Sequence, residues 1–345
     1  MKRLLAFIVA FFLVVSVGYA QKKPYKVVFY NLENFFDTVN DPDIKDDEFT
    51  PEGATKWTVE KYNKKLGNVE RVFFDIASID KSYPIVIGVS EIENRNVLED
   101  IVATPKLERA NYRIVHYDSP DARGIDVAFL YRPDIFQLEG EKAIKVEFPD
   151  EPNFRTRDLL AMWGKIEGED FLFMVSHWPS RLGGKEASES KRIAVGKQMR
   201  GFADSIKQIK PELKVVMMGD FNDDPVDKSI TEGLGAKLKV KELQKGDFYN
   251  PYAVMLKAGY GTLAYGDAWN IFDNIVVTEN LVNDDRDKLR IQKAEGAKFY
   301  GNIFKRHYMV QKEGQYKGYP LRTYVGNTFQ GGYSDHFPVY IYIGK

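Results

Sequence analysis

The stretch Lys214-Val-Val-Met-Met-Gly-Asp-Phe-Asn-Asp-Asp-Pro225 constrains the fold more than any other. Val215 to Met218 is a short apolar run with the length and composition of a strand buried on both faces. From Gly219 the chain turns polar. Asp220 and Asn222 alternate with Gly219 and Phe221, so in extended backbone both polar side chains leave the strand end on the same face. In open α/β sheets, ligands sit outside the carboxyl ends of strands. A carboxylate held there can take a proton from water, and an amide can hold an anionic oxygen. Asp-x-Asn alone is also an ordinary turn former, so the rest of the chain has to decide.

The same step from apolar strand to polar end recurs. Tyr25 to Tyr30 reads as a strand and ends in Asn31-Leu-Glu-Asn34, and Ile85 to Val89 is followed by Ser90-Glu91. Phe171 to Ser176 runs into His177-Trp-Pro-Ser-Arg181, and Ile271 to Val277 carries Asp273 inside an apolar run. Ser334-Asp-His336 leads into a closing strand, Val339 to Ile343. Surface loops collect polar residues, but they do not routinely set Asn, Glu, His, Asp and Asp-His against the ends of buried strands.

Helices alternate with these strands. Val59, Tyr62, Leu66, Val69, Phe73 and Ile76 form one apolar stripe, which predicts a helix over Thr58 to Ile79. Asn96 to Ala103 and Glu186 to Ile206 read as two more. Further strands are expected over Tyr112 to His116, Ile125 to Tyr131, Lys142 to Phe148 and Leu159 to Ile166. The Gly- and Tyr-rich region 228–268 shows no assignable element, and 291–333 reads as irregular, basic and aromatic. Strands interleaved with helices mark an α/β class. With no repeat of fixed period and no linker-like stretch, 21–345 reads as a single domain.

Residues 1–20 read as a signal peptide, with Lys2 and Arg3 ahead of the apolar run Leu4 to Val17 and small residues before a cut after Ala20. That run has 14 residues, short of the roughly 20 that span a bilayer. The expectation is a secreted or periplasmic protein with no stable membrane anchor after cleavage, and a monomer. The sequence has no Cys, which excludes a thiolate nucleophile or a thiolate metal site. Loss of Lys2 and Arg3 with the leader takes the formal net charge from −1 to −3, so the chain does not coat nucleic acid by charge alone.

The inventory suits divalent-metal phosphoryl chemistry. Mg²⁺ takes a few hard oxygen ligands and keeps several waters. Glu91 and Asp335 can supply carboxylates and Asn31 a neutral oxygen, and neither carboxylate has a Lys or Arg within its own motif. Asp220 can orient or deprotonate water, and Asn222 can fix that carboxylate or hold a phosphate oxygen. A protonated His336 can stabilise charge on the phosphate or the leaving group. A buried Asp is costly unless paired, which makes Asp273 the candidate partner that keeps His336 charged.

Taken together, Asn31-Leu-Glu-Asn34, Ser90-Glu91, Ser176-His177, Gly219-Asp-Phe-Asn222, Asp273 and Ser334-Asp-His336 resemble the endonuclease/exonuclease/phosphatase family, the deoxyribonuclease I-like superfamily, as a secreted bacterial-type member. The pieces come in the family's order across residues 26–343. The resemblance implies a four-layer α/β sandwich, two packed mixed β-sheets flanked by helices. It implies metal ligands Glu91, Asn31 and Asp335, with Mg²⁺ as the ion and Mn²⁺ or Ca²⁺ as alternatives. It implies that Asp220 and Asn222 act on nucleophile and phosphate, that His177 and His336 contact the scissile phosphate, and that Asp273 pairs with His336. A middle-loop residue, here Arg123, would also reach the phosphate. The function implied is an extracytoplasmic endonuclease or phosphodiesterase acting on nucleic acid. The alternatives are a phosphatase or phosphodiesterase of small-molecule or lipid phosphates, and a non-catalytic secreted binding protein. Residues 291–333 carry seven basic residues, two acidic ones and nine aromatics, so this segment is expected to line the substrate groove.

Overall fold

Alternation along two strands sets the layers. In the strand Tyr25–Phe35, Val27 and Phe29 enter one apolar cluster while Val28 and Tyr30 enter another. In the strand Lys214–Asp220, Val216 and Met218 join the first cluster and Val215 and Met217 a third. The cluster they share lies between two sheets, and the other two lie under helices. The computed structural model describes residues 23–283 and 285–345, so the leader read over 1–20 lies outside the described residues.

The first sheet runs β14 (Arg290–Gln292), β18 (Val339–Gly344), β1 (Tyr25–Phe35), β2 (Val86–Ile92), β4 (Asp126–Tyr131) and β3 (Arg113–His116), with β15 (Asn302–Ile303) also on β18. The second runs β5 (Gln137–Ile144), β6 (Leu159–Ile166), β7 (Glu169–His177), β8 (Lys214–Asp220), β13 (Asp273–Thr278), β10 (Phe248–Tyr249) and β9 (Ala236–Lys237). Both sheets are mixed. β1 pairs with β2 in parallel and with β18 antiparallel; β7 pairs with β8 in parallel and β8 with β13 antiparallel. Helices α1 (Val59–Ser78) and α2 (Arg95–Ala103) cover the first sheet through Val69, Phe73, Ile76, Val97 and Leu98. Helix α3 (Glu189–Ile209) covers the second through Val195, Met199 and Ala203. The result is the four-layer α/β sandwich. Where β2 and β8 face each other, a Cβ on Gly88 would lie 2.6 Å from Met218 Sδ, so the bare glycine lets the sheets close.

Two expectations shift. The strand expected over 142–148 lies earlier, over Gln137–Ile144, as a half-exposed edge strand. Past its end, the Val146 N–H is taken by the Asp158 carboxylate instead of a neighbouring strand. The unassigned region 228–268 supplies β9 and β10 at the sheet edge, the short helix α4 (Ala253–Lys257), and a hairpin of β11 (Leu263–Tyr265) and β12 (Ala268–Asn270). Residues 291–333 are not wholly irregular: they add β15 and a hairpin of β16 (Tyr324–Val325) and β17 (Thr328–Phe329). Among the described residues no helix is long and apolar enough to cross a membrane.

Candidate active site

The site forms where polar strand ends of both sheets meet. In the second sheet, register sets His177 beside Asp220 and Asp220 beside Asp273, one row across β7, β8 and β13. Gly219 makes that row fit, since a Cβ there would lie 2.0 Å from the Ser176 carbonyl oxygen. In the first sheet Asn31 pairs with Ser90, after which the ladder breaks. Glu91 sits in the break with φ +59°, and Glu33 on the paired strand has φ +51°. Left-handed backbone at residues of this kind costs about 1–3 kcal/mol each and collects at functional sites. The bulge re-aims Glu91 sideways, into the cleft.

Asn31 ties the two sheets together. Its Nδ2 donates to Glu91 Oε1 at 3.1 Å and to Asp220 Oδ2 at 3.0 Å. Its Oδ1 accepts the Glu33 N–H at 2.8 Å, so the amide nitrogen, not the oxygen, faces the carboxylates. The Asn34 N–H donates to Glu91 Oε2 at 2.9 Å. Asp220 is buried, and its Oδ1 accepts the Asn222 N–H at 2.9 Å. Burial, with the nearby charge of Asp273, pushes the Asp220 carboxyl up to about 7, against the pull of His336. Asn222, at φ +50°, spends its Nδ2 on the Trp178 carbonyl at 3.0 Å. It holds the turn that carries Asp220, so the turn-forming reading of Asp-x-Asn is also true here.

The two histidines differ. His336 Nδ1 lies 2.7 Å from Asp273 Oδ2, and its Nε2 faces Asp220 Oδ2 at 3.8 Å. Burial pulls this imidazole down, but Asp273, Asp335 and Asp220 together raise it well above the usual value, so it is a cation at neutral pH. His177 Nε2 stands 3.8 Å from Glu91 Oε1 and 3.6 Å from Asp220 Oδ2. Burial, then Arg157 and Arg123, hold it well below the usual value, so it is neutral. Its buried Nδ1 has no hydrogen-bond partner.

Eight of the nine residues expected from the sequence thus converge, and Arg123 stands at the rim. Arg123 is half exposed, with Nε 3.8 Å from Asp121 Oδ1, and its charge reaches His177. Asp335 corrects one expectation. Its motif holds no basic residue, yet Arg322 Nη2 donates to Asp335 Oδ2 at 2.8 Å and Arg322 Nε to Glu33 Oε1 at 3.2 Å. Sequence reasoning also missed Arg157, whose Nη1 donates to Asp121 Oδ2 at 2.9 Å and whose Nη2 donates to the Trp178 carbonyl at 2.7 Å. It missed Lys65, on the buried face of α1, whose Nζ donates to the Glu33 carbonyl at 2.8 Å. The available signal was a Lys between Tyr62 and Val69 on the apolar stripe, a position that asks for a buried partner.

The segment 291–333 splits. Phe304 and Tyr333 are core, and Tyr324 and Phe329 pack near Trp57. Tyr316 and Tyr319 line a cavity beside Asp335, and of the seven basic residues Arg322 alone lines it.

The donor set fits a hard divalent cation. Glu91, His177 and Asp220 offer ligand atoms within 4.8 Å of one another. Glu91 and Asp220 are bridged by an amide and not by a basic side chain, which leaves charge for a cation that keeps several waters. Asp220, Asp273 and His336 are equally close, but there the ion pair already fills the need.

A family profile described as Endonuclease/Exonuclease/phosphatase family matches residues 26–345. No curated protein matches in sequence. Among solved structures, an endonuclease/exonuclease/phosphatase family protein from Bacteroides thetaiotaomicron is similar at 17 % identity and TM-score 0.54, covering 92 % of this chain and 94 % of that one. A mannosyl-6-phosphatase from the same organism shares 16 % identity at TM-score 0.54, covering 92 % of this chain and 99 % of that one. D. rerio TDP2 in complex with a single-strand DNA product shares 14 % identity at TM-score 0.54, covering 94 % of this chain and all of that one, 100 %. At such identities these likenesses speak for the fold.

Proposed function

Since the chain belongs to the endonuclease/exonuclease/phosphatase family, and so to the phosphoester hydrolases, we propose that it cleaves phosphodiesters of nucleic acid outside the cytoplasm, by in-line attack of water and with a divalent metal. One observation supports the hydrolytic part of this reading: Asp220 lies between a cationic and a neutral imidazole, with Glu91 joined to it through Asn31. Asp220, pushed up to about 7, is matched to accept a proton from water near neutral pH. His336 offers a charged Nε2–H to a phosphoryl oxygen, and Asp273 holds it in that state. Neutral His177 can donate a second hydrogen bond without adding charge. Arg123, at the rim, can meet an outer phosphate oxygen. Mg²⁺, with Mn²⁺ or Ca²⁺ as alternatives, would be held by Glu91 and Asp220, with Asp335 as a further candidate, and would offset charge growing on the phosphoryl oxygens; the Asn31 oxygen expected as a ligand is turned to the Glu33 N–H instead.

A second reading, a phosphatase or phosphodiesterase of small-molecule or lipid phosphates, is favoured by the segment 291–333. Its basic residues, Arg322 excepted, do not line the cavity, so a long polyanion finds no charged track within it. A substrate panel separates the two: plasmid DNA, RNA, sphingomyelin, inositol phosphates and a chromogenic phosphodiester, each with Mg²⁺ and with EDTA. Cleavage of DNA or RNA that stops on chelation is expected. Activity undiminished by exhaustive chelation would remove the metal, and hydrolysis confined to lipid or small phosphates would establish the second reading.

A further inference from the structure

Beside the reacting carboxylates the surface opens into a cavity of about 500 Å³. One wall is the β11–β12 hairpin with Tyr265; the other is the loop 311–325 with Gln311, Gln315, Tyr316 and Tyr319. Arg322 and Asp335 form part of the lining, so the cavity is continuous with the site. The walls are pinned to each other: the Asp267 N–H donates to Tyr319 Oη at 2.7 Å, and the Tyr319 hydroxyl donates to Asp267 Oδ1 at 2.7 Å. A volume of this order encloses a ligand of roughly nucleoside or drug size.

The lining selects among ring systems. Tyr265 is 83 % exposed and Tyr316 43 %, so aromatic faces stand free where apolar side chains normally turn inward. The charged groups of the lining, Arg322 and Asp335, already pair with each other. What remains polar is the two amides and the hydroxyls of Tyr265 and Tyr316, few groups for a lining that is mostly apolar and aromatic. Gln311 Nε2 donates to the Glu313 carbonyl at 3.1 Å, which orients its oxygen as a free acceptor. A polyhydroxylated ring would lose its water bonds here against too few partners. A planar ring with a hydrogen-bonding edge would lose little, because its faces stack on tyrosine and its edge meets an amide that can both donate and accept.

We propose that this cavity is a subsite for one heteroaromatic base of the phosphoester substrate, stacked on Tyr265 and Tyr316 and met at its edge by Gln311 and Gln315. The proposal rests on the hydrolase reading above and names the part of the substrate that the site recognises besides phosphate. It also accounts for the missing charged track, since a single stacked nucleotide needs none.

Two dinucleotides with the same sugar–phosphate backbone test it, one with both bases and one with each base replaced by hydrogen. With Mg²⁺, the wild type is expected to show a kcat/KM about tenfold higher for the base-bearing compound, mainly through KM. Tyr265→Ala combined with Tyr316→Ala should bring that ratio toward one. Tyr265→Phe combined with Tyr316→Phe should keep it, because stacking needs the ring and not the hydroxyl. Metal-free protein should likewise bind a nucleoside 5′-monophosphate more tightly than ribose 5-phosphate, a readout independent of turnover. A ratio of one in the wild type, or a ratio unchanged in the double Ala variant, would overturn the assignment. Hydrolysis of a sugar phosphate alongside cleavage of neither dinucleotide would overturn the base subsite and leave the hydrolase standing. No hydrolysis of any phosphoester with Mg²⁺, Mn²⁺ or Ca²⁺ would overturn both.

Discussion

His177 and His336 approach the same carboxylate oxygen, Asp220 Oδ2, from 3.6 and 3.8 Å, yet they belong to different electrostatic regions. Both are buried, and burial alone would leave both neutral. On the His336 side, three carboxylates outweigh burial. On the His177 side, Arg157 and Arg123 add to it. Burial therefore sets the stakes, and the neighbouring charges set the outcome. The contrast is useful chemically. On the proposed reading, a phosphoester gaining negative charge would meet a fixed cation at one imidazole and a neutral donor at the other, while the carboxylate between them would take a proton.

Removing that shared carboxylate should have the largest effect. Asp220→Asn takes the base away and is expected to lower kcat by roughly 10²–10⁴-fold. Stability should not fall with it. The folded-state pKa of Asp220, about 7, lies above the ordinary carboxylate value of 3.8, so ionising this group in the folded protein costs stability as pH rises between those values. An amide escapes that cost, so the melting temperature measured in EDTA should be equal or higher, most visibly above pH 7. A variant that melts far below wild type would make the turn, and not the chemistry, the main duty of Asp220.

A smaller effect tests the contrast directly. The folded pKa of His336 lies above 6.5, so the stability it contributes is full below 6.5 and is lost as pH rises through the folded value. The folded pKa of His177 lies below 6.5, so its contribution is full above 6.5 and is lost as pH falls through that lower window. Melting curves in EDTA across about pH 5 to 9 should therefore show opposite trends. The gap between wild type and His336→Asn should narrow with rising pH, and the gap between wild type and His177→Asn should narrow with falling pH. Slopes of the same sign would mean that the two regions do not differ in charge.

The two regions were also unequally legible in sequence. Asn31, Glu91, Asp220, Asp273 and His336 could be read because each stands at or within a strand whose period is local, and a polar residue there is conspicuous. Their partners were not conspicuous. Arg157 reaches His177 and Trp178 across some twenty positions and Asp121 across 36, and Lys65 meets Thr323 across 258. The place of Lys65 on an apolar stripe asks for a buried partner without saying which, and nothing local marks Arg157. The segment 291–333 was legible only in part, for a different reason. Its strands are two residues long and its aromatics serve both core and cavity, so composition could not divide them.

That division yields the smallest expected effect, and it concerns charges that do not line the cavity. Lys305 Nζ lies 4.8 Å from the Trp269 ring centroid and 5.1 Å from that of Phe337, and the Arg306 guanidinium lies 4.4 Å from that of Phe304. These cations cover aromatic faces of the fold, a use worth about 0.5–1 kcal/mol each when exposed. Lys317 is exposed and, like the other two, does not line the cavity. If all three gripped backbone phosphates, replacing them would lower the salt dependence of binding by close to one power of salt for each phosphate no longer neutralised. Composition alone points that way, and their placement reverses the expectation. The triple variant Lys305→Gln, Arg306→Gln, Lys317→Gln should keep KM for nucleic acid within about threefold of wild type and keep its salt slope. It should melt slightly lower, because aromatic rings lose their covering cations. Steady-state kinetics at several salt concentrations decide the matter. A KM raised about tenfold with a flattened salt slope would mean that the substrate path runs over these residues after all, and that charge outside the cavity shares in binding.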